Sequence, residues 1–106
     1  MKYFITEEQR KEQGGTCYFE FQRGQKNPEY EFVCWKKDSL LMHMDIADDI
    51  GLYKLFDDFS YYGTTIVDRM KWNKFKCIAD KTLLEELNEW AEENFTEYDY
   101  FVILGL

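Results

Sequence analysis

The chain holds one histidine, His43, and three cysteines, Cys17, Cys34 and Cys77, that lie far apart and form no CxxC pair. A zinc site needs such ligands at close spacing and a secreted scaffold needs a dense, even set, so neither is expected. No HExxH occurs, and no glycine-turned calcium loop follows Asp45, Asp48 and Asp49; no metal or other cofactor is expected. Gly14-Gly15 and Gly24 lack the spacing and the Lys-Ser/Thr of a phosphate-binding loop. No apolar run reaches the ~18 residues of a membrane-spanning helix. The opening Met1-Lys2-Tyr3-Phe4-Ile5 is followed by Thr6-Glu7-Glu8-Gln9-Arg10, which interrupts any signal-peptide core. A cytoplasmic protein with buried, reduced thiols is the expectation, with no membrane partner. Basic residues are also scarce, 13 against 21 acids, for a net charge of −8. Such a chain repels phosphate backbones, so nucleic acid is not an expected partner.

Aromatic residues, by contrast, are abundant: nine Phe, eight Tyr and three Trp in 106 residues. That content gives a core to bury and argues against an acidic disordered tail. The length suits one domain spanning residues 1–106.

Residues 2–5 read as a short strand, and Glu7 to Gln13 as a loop or single frayed turn ending at Gly14-Gly15. Thr16 to Arg23 alternates Cys17, Phe19 and Phe21 against Thr16, Tyr18, Glu20 and Gln22, a strand with the first set on the core face. A turn at Gly24 to Pro28 leads into a second strand, Tyr30, Phe32 and Cys34 alternating with Glu31, Val33 and Trp35, so a hairpin is predicted. Leu40, Met42, Met44 and Ile46 continue as a third strand. Leu52, Leu55, Phe56 and Phe59 then change to helical spacing, ended by Ser60 to Gly63.

Thr64 to Val67 is β-branched enough for a short strand. Asp68 can cap a helix carrying Trp72, Phe75 and Ala79 on one side. Thr82-Leu83-Leu84-Glu85 fits a capping box, opening a helix with the stripe Leu83, Leu84, Leu87, Trp90, Ala91 and Phe95, and with Glu85, Glu86, Glu89, Glu92 and Glu93 outside. Tyr98 to Leu106, nearly all apolar, belongs inside the sheet and has the N-terminal strand as a possible neighbour. The predicted class is α+β: an antiparallel sheet of four or five strands, arranged as a meander, with two or three helices packed on one side.

Charge is distributed in blocks. Asp45, Asp48, Asp49, Asp57 and Asp58 face only Lys54 between residues 45 and 67, whereas Arg69, Lys71, Lys74 and Lys76 oppose Asp68 in the next block. The basic island, interleaved with Trp72 and Phe75, reads as a helix exterior whose lysines pair with nearby acids. His43 has Asp45 two residues on, near enough to orient an imidazole, but no motif supplies a nucleophile. A small enzyme centred on His43, or on Cys34 or Cys77 if their thiols are acidic and accessible, is therefore a distant alternative. The first acidic block stands beside Tyr53, Tyr61 and Tyr62, and clustered tyrosine with acid is the composition of a protein-binding surface. Asp45, Asp48, Asp49, Tyr53, Asp57, Asp58, Tyr61 and Tyr62 are the candidate partner-binding residues; the acids at 85–99 form a second possible interface.

The aromatic meander, followed by Asp49-Ile50-Gly51-Leu52-Tyr53 through Phe59, Tyr61-Tyr62-Gly63-Thr64-Thr65, Trp72-x-x-Phe75-x-x-Ile78 and Leu87-x-x-Trp90, resembles the immunity proteins of bacterial polymorphic toxin and contact-dependent growth inhibition systems. The likeness covers most of the chain and includes no shared catalytic residue. It implies a non-enzymatic role: binding a cognate, cationic toxin domain, a nuclease above all, and blocking its active site or substrate groove. An acidic nucleic-acid mimic that inhibits a host DNA-binding enzyme is the alternative from the same charge.

Overall fold

The computed structural model describes residues 1–26 and 32–106. The chain runs β1 (Ile5–Thr6), α1 (Glu7–Gln13), β2 (Tyr18–Arg23), β3 (Leu40–His43), α2 (Met44–Ile50), α3 (Leu52–Leu55), β4 (Thr64–Asp68), α4 (Arg69–Ile78), α5 (Lys81–Phe95) and β5 (Tyr100–Leu104). The class is α+β, and the five strands form one antiparallel sheet in the order β1-β3-β2-β5-β4. Five helices pack on it, more than the two or three predicted.

The order differs from a simple meander. The C-terminal strand β5 inserts between β2 and β4, with Phe21 opposite Ile103 and Val67 opposite Phe101, and does not lie beside β1. Among the described residues the predicted second strand is not formed: 32–35 are irregular, and β2 pairs directly with β3, Phe19 opposite Met42. The predicted Pro28 turn and Tyr30 lie outside the described residues.

Burial of both sheet faces explains this departure. One face presents Phe19, Phe21, Leu40, Met42, Val67, Phe101 and Ile103 to Ala47 of α2, Leu52 of α3, Trp72 and Phe75 of α4, and Leu83, Leu87, Trp90 and Ala91 of α5. The other face carries Glu20 and Gln22, which alternation would leave in water but which are almost wholly buried. Their side chains hold the 32–39 segment down. Gln22 Nε2 donates to the Val33 carbonyl, and Glu20 Oε2 accepts from the Lys36 N–H and the Ser39 hydroxyl. The segment spends its backbone polar groups on these side chains rather than on a strand ladder. Arg10 of α1 lies over the Trp35 ring, 4.2 Å from its centre, and closes the same face.

Helix starts follow capping chemistry. Thr6 and Gln9 exchange side-chain and backbone hydrogen bonds in a capping box, so Glu7–Gln13 is a helix and not a loop, ended by Gly14 at φ 78°. Asp68 caps α4 by accepting from the Lys71 N–H. α5 begins at Asp80, which accepts from the Thr82 and Leu83 N–H groups, so Thr82 is not its cap. The predicted third strand stops at His43, where the chain turns into α2, and the helix expected from Leu52 to Phe59 is the single turn α3. The three cysteines are exposed, not buried. Among the described residues no helix is long and apolar enough to cross a membrane.

Candidate protein-binding surface

The surface begins where β3 ends. His43 leaves the strand with extended backbone, and its Nδ1 accepts from the Asp45 N–H at 3.0 Å, capping α2. Nδ1 is thereby the unprotonated ring nitrogen of this cap, and the Asp45 carboxylate lies 3.7 Å away. Tyr18 packs edge-on against the imidazole at 5.2 Å.

Helix α2 then sorts its side chains. Ala47 is buried and Ile46 and Ile50 are half-buried, which leaves Asp45, Asp48 and Asp49 on the exposed side at i, i+3 and i+4. Gly51, at φ 65°, ends the helix in the left-handed conformation that a side chain would resist. Leu52 returns to the core and Tyr53 stands in solvent, with Lys54 Nζ 5.5 Å from its ring.

Phe56 stacks on Phe75 with ring centres 4.7 Å apart and planes 8° from parallel, which turns Asp57 and Asp58 outward against α4. Lys74 Nζ sits 2.9 Å from Asp57 and Lys71 Nζ 3.8 Å from Asp58. Asp58 also has φ 58°, a conformation that Asp tolerates better than most residues, so it has a backbone role as well. Tyr61 rests edge-on against Phe19 at 5.2 Å and stands 5.0 Å from Tyr62. Its hydroxyl donates to Asp48 Oδ1 at 3.4 Å. Desolvation, and then the charge of Asp48, push the Tyr61 phenol above its ordinary pKa and keep it a donor.

The eight predicted residues thus fall into two settings. Asp45, Asp48, Asp49, Tyr61 and Tyr62 gather around α2, where Asp48 and Asp49 have no ion-pair partner among the described residues. Asp57 and Asp58 are joined to α4, and Tyr53 stands beyond the Gly51 turn. The basic island is occupied as predicted: Arg69 and Lys76 pair with Glu92, Lys74 with Asp57, and Lys71 with Asp58. Trp72 Nε1 donates to Glu92 at 2.8 Å, and this bond, with Arg69, holds the Glu92 carboxyl below the usual range. Glu85, Glu89 and Glu93 are exposed as expected, but Glu86 accepts from the backbone N–H groups of Lys2, Tyr3 and Phe4.

Cys34 is exposed, and partial desolvation first and the Glu20 carboxylate next push its thiol above the ordinary pKa. Sequence alternation missed the His43 cap and the Tyr61–Asp48 bond, since both depend on the turn from β3 into α2. A histidine two residues before an acidic helical run was the available sign. Comparison of the chain with protein-family models, curated proteins and solved structures gives no significant match, so function must be argued from this geometry.

Proposed function

We propose that this protein is a cytoplasmic immunity protein that neutralises a cationic toxin domain, of the nuclease type, by seating the α2 surface in its active site or substrate groove. Asp45, Asp48 and Asp49 supply directed charge, and Tyr61, Tyr62 and Tyr53 supply rigid amphipathic contact area. Asp57 and Asp58 border the patch while bound to α4. The observation that carries the proposal is the exposure of Asp48 and Asp49 in the last turn of α2, which contains no base, without cationic partners among the described residues. A helix C-terminus disfavours carboxylates, so local folding gives no reason for two of them there. Three carboxylates within about one helical turn make a point of charge rather than a phosphate-like ladder. That favours one protein partner over mimicry of nucleic acid.

The test is co-expression with the protein encoded beside it, followed by a salt titration of the captured complex. Recovery of one basic toxin domain is expected, and Asp48→Lys with Asp49→Lys should weaken its binding about tenfold or more and flatten the salt dependence. Asp57→Lys with Asp58→Lys should change affinity less, because those carboxylates already have lysine partners. Unchanged affinity and salt slope in the α2 variant would sink the proposal.

A further inference from the structure

β4 is the last strand of the sheet, and among the described residues no strand pairs with its outer side. The ladder with β5 sets which backbone groups face that side. Gly105 N–H donates to the Gly63 carbonyl at 2.7 Å, one step beyond the register of Thr64 opposite Leu104. Antiparallel bonding recurs at every second residue, so Thr65 and Val67 bond to β5 while Thr64 and Ile66 turn their N–H and C=O groups outward. The Ile66 side chain is 55 % exposed, and an exposed apolar residue on an open edge invites another strand.

One of these outward groups is taken. Lys71 Nζ donates to the Ile66 carbonyl at 3.3 Å and lies 3.8 Å from Asp58 Oδ2. The cap of α4 places it there: Asp68 accepts from the Lys71 N–H, and a helical side chain leans back toward the helix N-terminus, here over the end of β4. The Lys71 side chain is only 26 % exposed, against 59 % for Lys74 on the same helix.

We infer that the outer edge of β4 is a strand-pairing surface for a second copy of this chain, and that Lys71 holds it shut. The edge is self-complementary. Antiparallel pairing about a two-fold axis through Ile66 sets Ile66 against its own copy, each N–H facing the other's C=O, and sets Thr64 against the Asp68 position of the second chain. The charges next to this edge are balanced, because Arg69, Lys71, Lys74 and Lys76 are all paired with acids. What prevents the pairing is the ammonium group seated on the carbonyl that a second strand needs. This role of Lys71 does not depend on the docking role of α2.

Sedimentation and amide exchange of the purified chain test this. The wild type is expected to be a monomer, with the Thr64 and Ile66 amides exchanging about tenfold or more faster than those of Thr65 and Val67. Lys71→Met keeps the stem and removes the donor, so it should self-associate about tenfold or more tightly than the wild type and slow the Thr64 and Ile66 amides. Should Lys71→Met fail to fold, Lys71→Ala, which suits a helix, is read in the same way. Slow exchange at Thr64 and Ile66 in the wild type would overturn the inference, since the edge would already be covered. A folded variant that stays monomeric would overturn it, and so would association that leaves those two amides fast. Failure of both variants to fold would make Lys71 a determinant of the fold and overturn its role at the edge.

Discussion

Asp48 and Asp49 occupy the end of a helix whose exposed carbonyls repel them, and Tyr61 returns only one hydrogen bond, at 3.4 Å, to Asp48. Replacing each with lysine reverses an unfavourable interaction with the helix dipole, so Asp48→Lys with Asp49→Lys should raise stability by ~0.3–1 kcal/mol per site. Denaturant unfolding of the variant checks this; a loss of stability would show that the acids serve the fold instead. Glu92 is the opposite case. Its carboxyl is held below the usual range by Trp72 Nε1–H first and by Arg69 next. Because its folded pKa is depressed, the stability it contributes is present above the unfolded carboxylate value and is lost as pH falls through the folded one. Glu92→Gln should cost about 1 kcal/mol at neutral pH, a modest figure because the site is partly exposed, and should flatten the acid limb of a stability–pH curve. An unchanged acid limb would remove Glu92 from that role.

At the scale of elements, one carboxylate secures the residues that lead into β1. Glu86 of α5 accepts from Lys2 N at 3.0 Å, Tyr3 N at 3.0 Å and Phe4 N at 3.2 Å, while β1 itself pairs only two residues with β3. Phe4 then enters the core against Phe21 at 5.1 Å. Glu86→Ala should cost about 1–2 kcal/mol by leaving those donors without their acceptor. Hydrogen exchange should accelerate at residues 2–6 with β2 and β5 unaffected; uniform acceleration would mean that the strand does not open independently.

This clasp also shows what the sequence could reveal. The α5 stripe was legible because Leu83, Leu87, Trp90 and Ala91 bury against the sheet at helical spacing. The inward turn of Glu86 was not, since it depends on a segment more than eighty residues away in the chain. Local chemistry did hold the missed α1: Thr6 and Gln9 stand at capping-box spacing, a signal outweighed by the polarity of the seven residues that follow Thr6. At the candidate site, the acids of α2 and their tyrosine neighbours stood close in sequence. The salt bridges that occupy Asp57 and Asp58 come from α4, and alternation into Asp45 extended a strand past the His43 cap.

The molecule as a whole is a sheet closed by helices on one face and by the irregular 32–39 segment with Arg10 of α1 on the other, and Glu20 is the residue on which that second closure turns. Its Oε2 accepts from Lys36 N at 2.8 Å, from Gln22 Nε2 at 3.1 Å and from the Ser39 hydroxyl, while Oε1 is buried without a hydrogen-bond partner among the described residues. Cys34, exposed in the segment these bonds hold, has its thiol pushed up by partial desolvation first and by the Glu20 charge next. Glu20→Gln keeps the shape and removes the charge, so the thiol pKa should fall and the thiolate fraction near neutral pH should rise. Alkylation of Cys34 should accelerate, with Cys17 and Cys77 as internal references. The pH profile separates two causes of faster reaction. A charge effect moves the midpoint of rate against pH to lower values and leaves the high-pH plateau unchanged, whereas opening of the 32–39 segment also raises that plateau. A lower midpoint with an unchanged plateau, and stability reduced by about 1–3 kcal/mol through the weakened bonds to Lys36 and Ser39, is the expected outcome. A fixed midpoint would mean that the Glu20 charge does not reach the thiol.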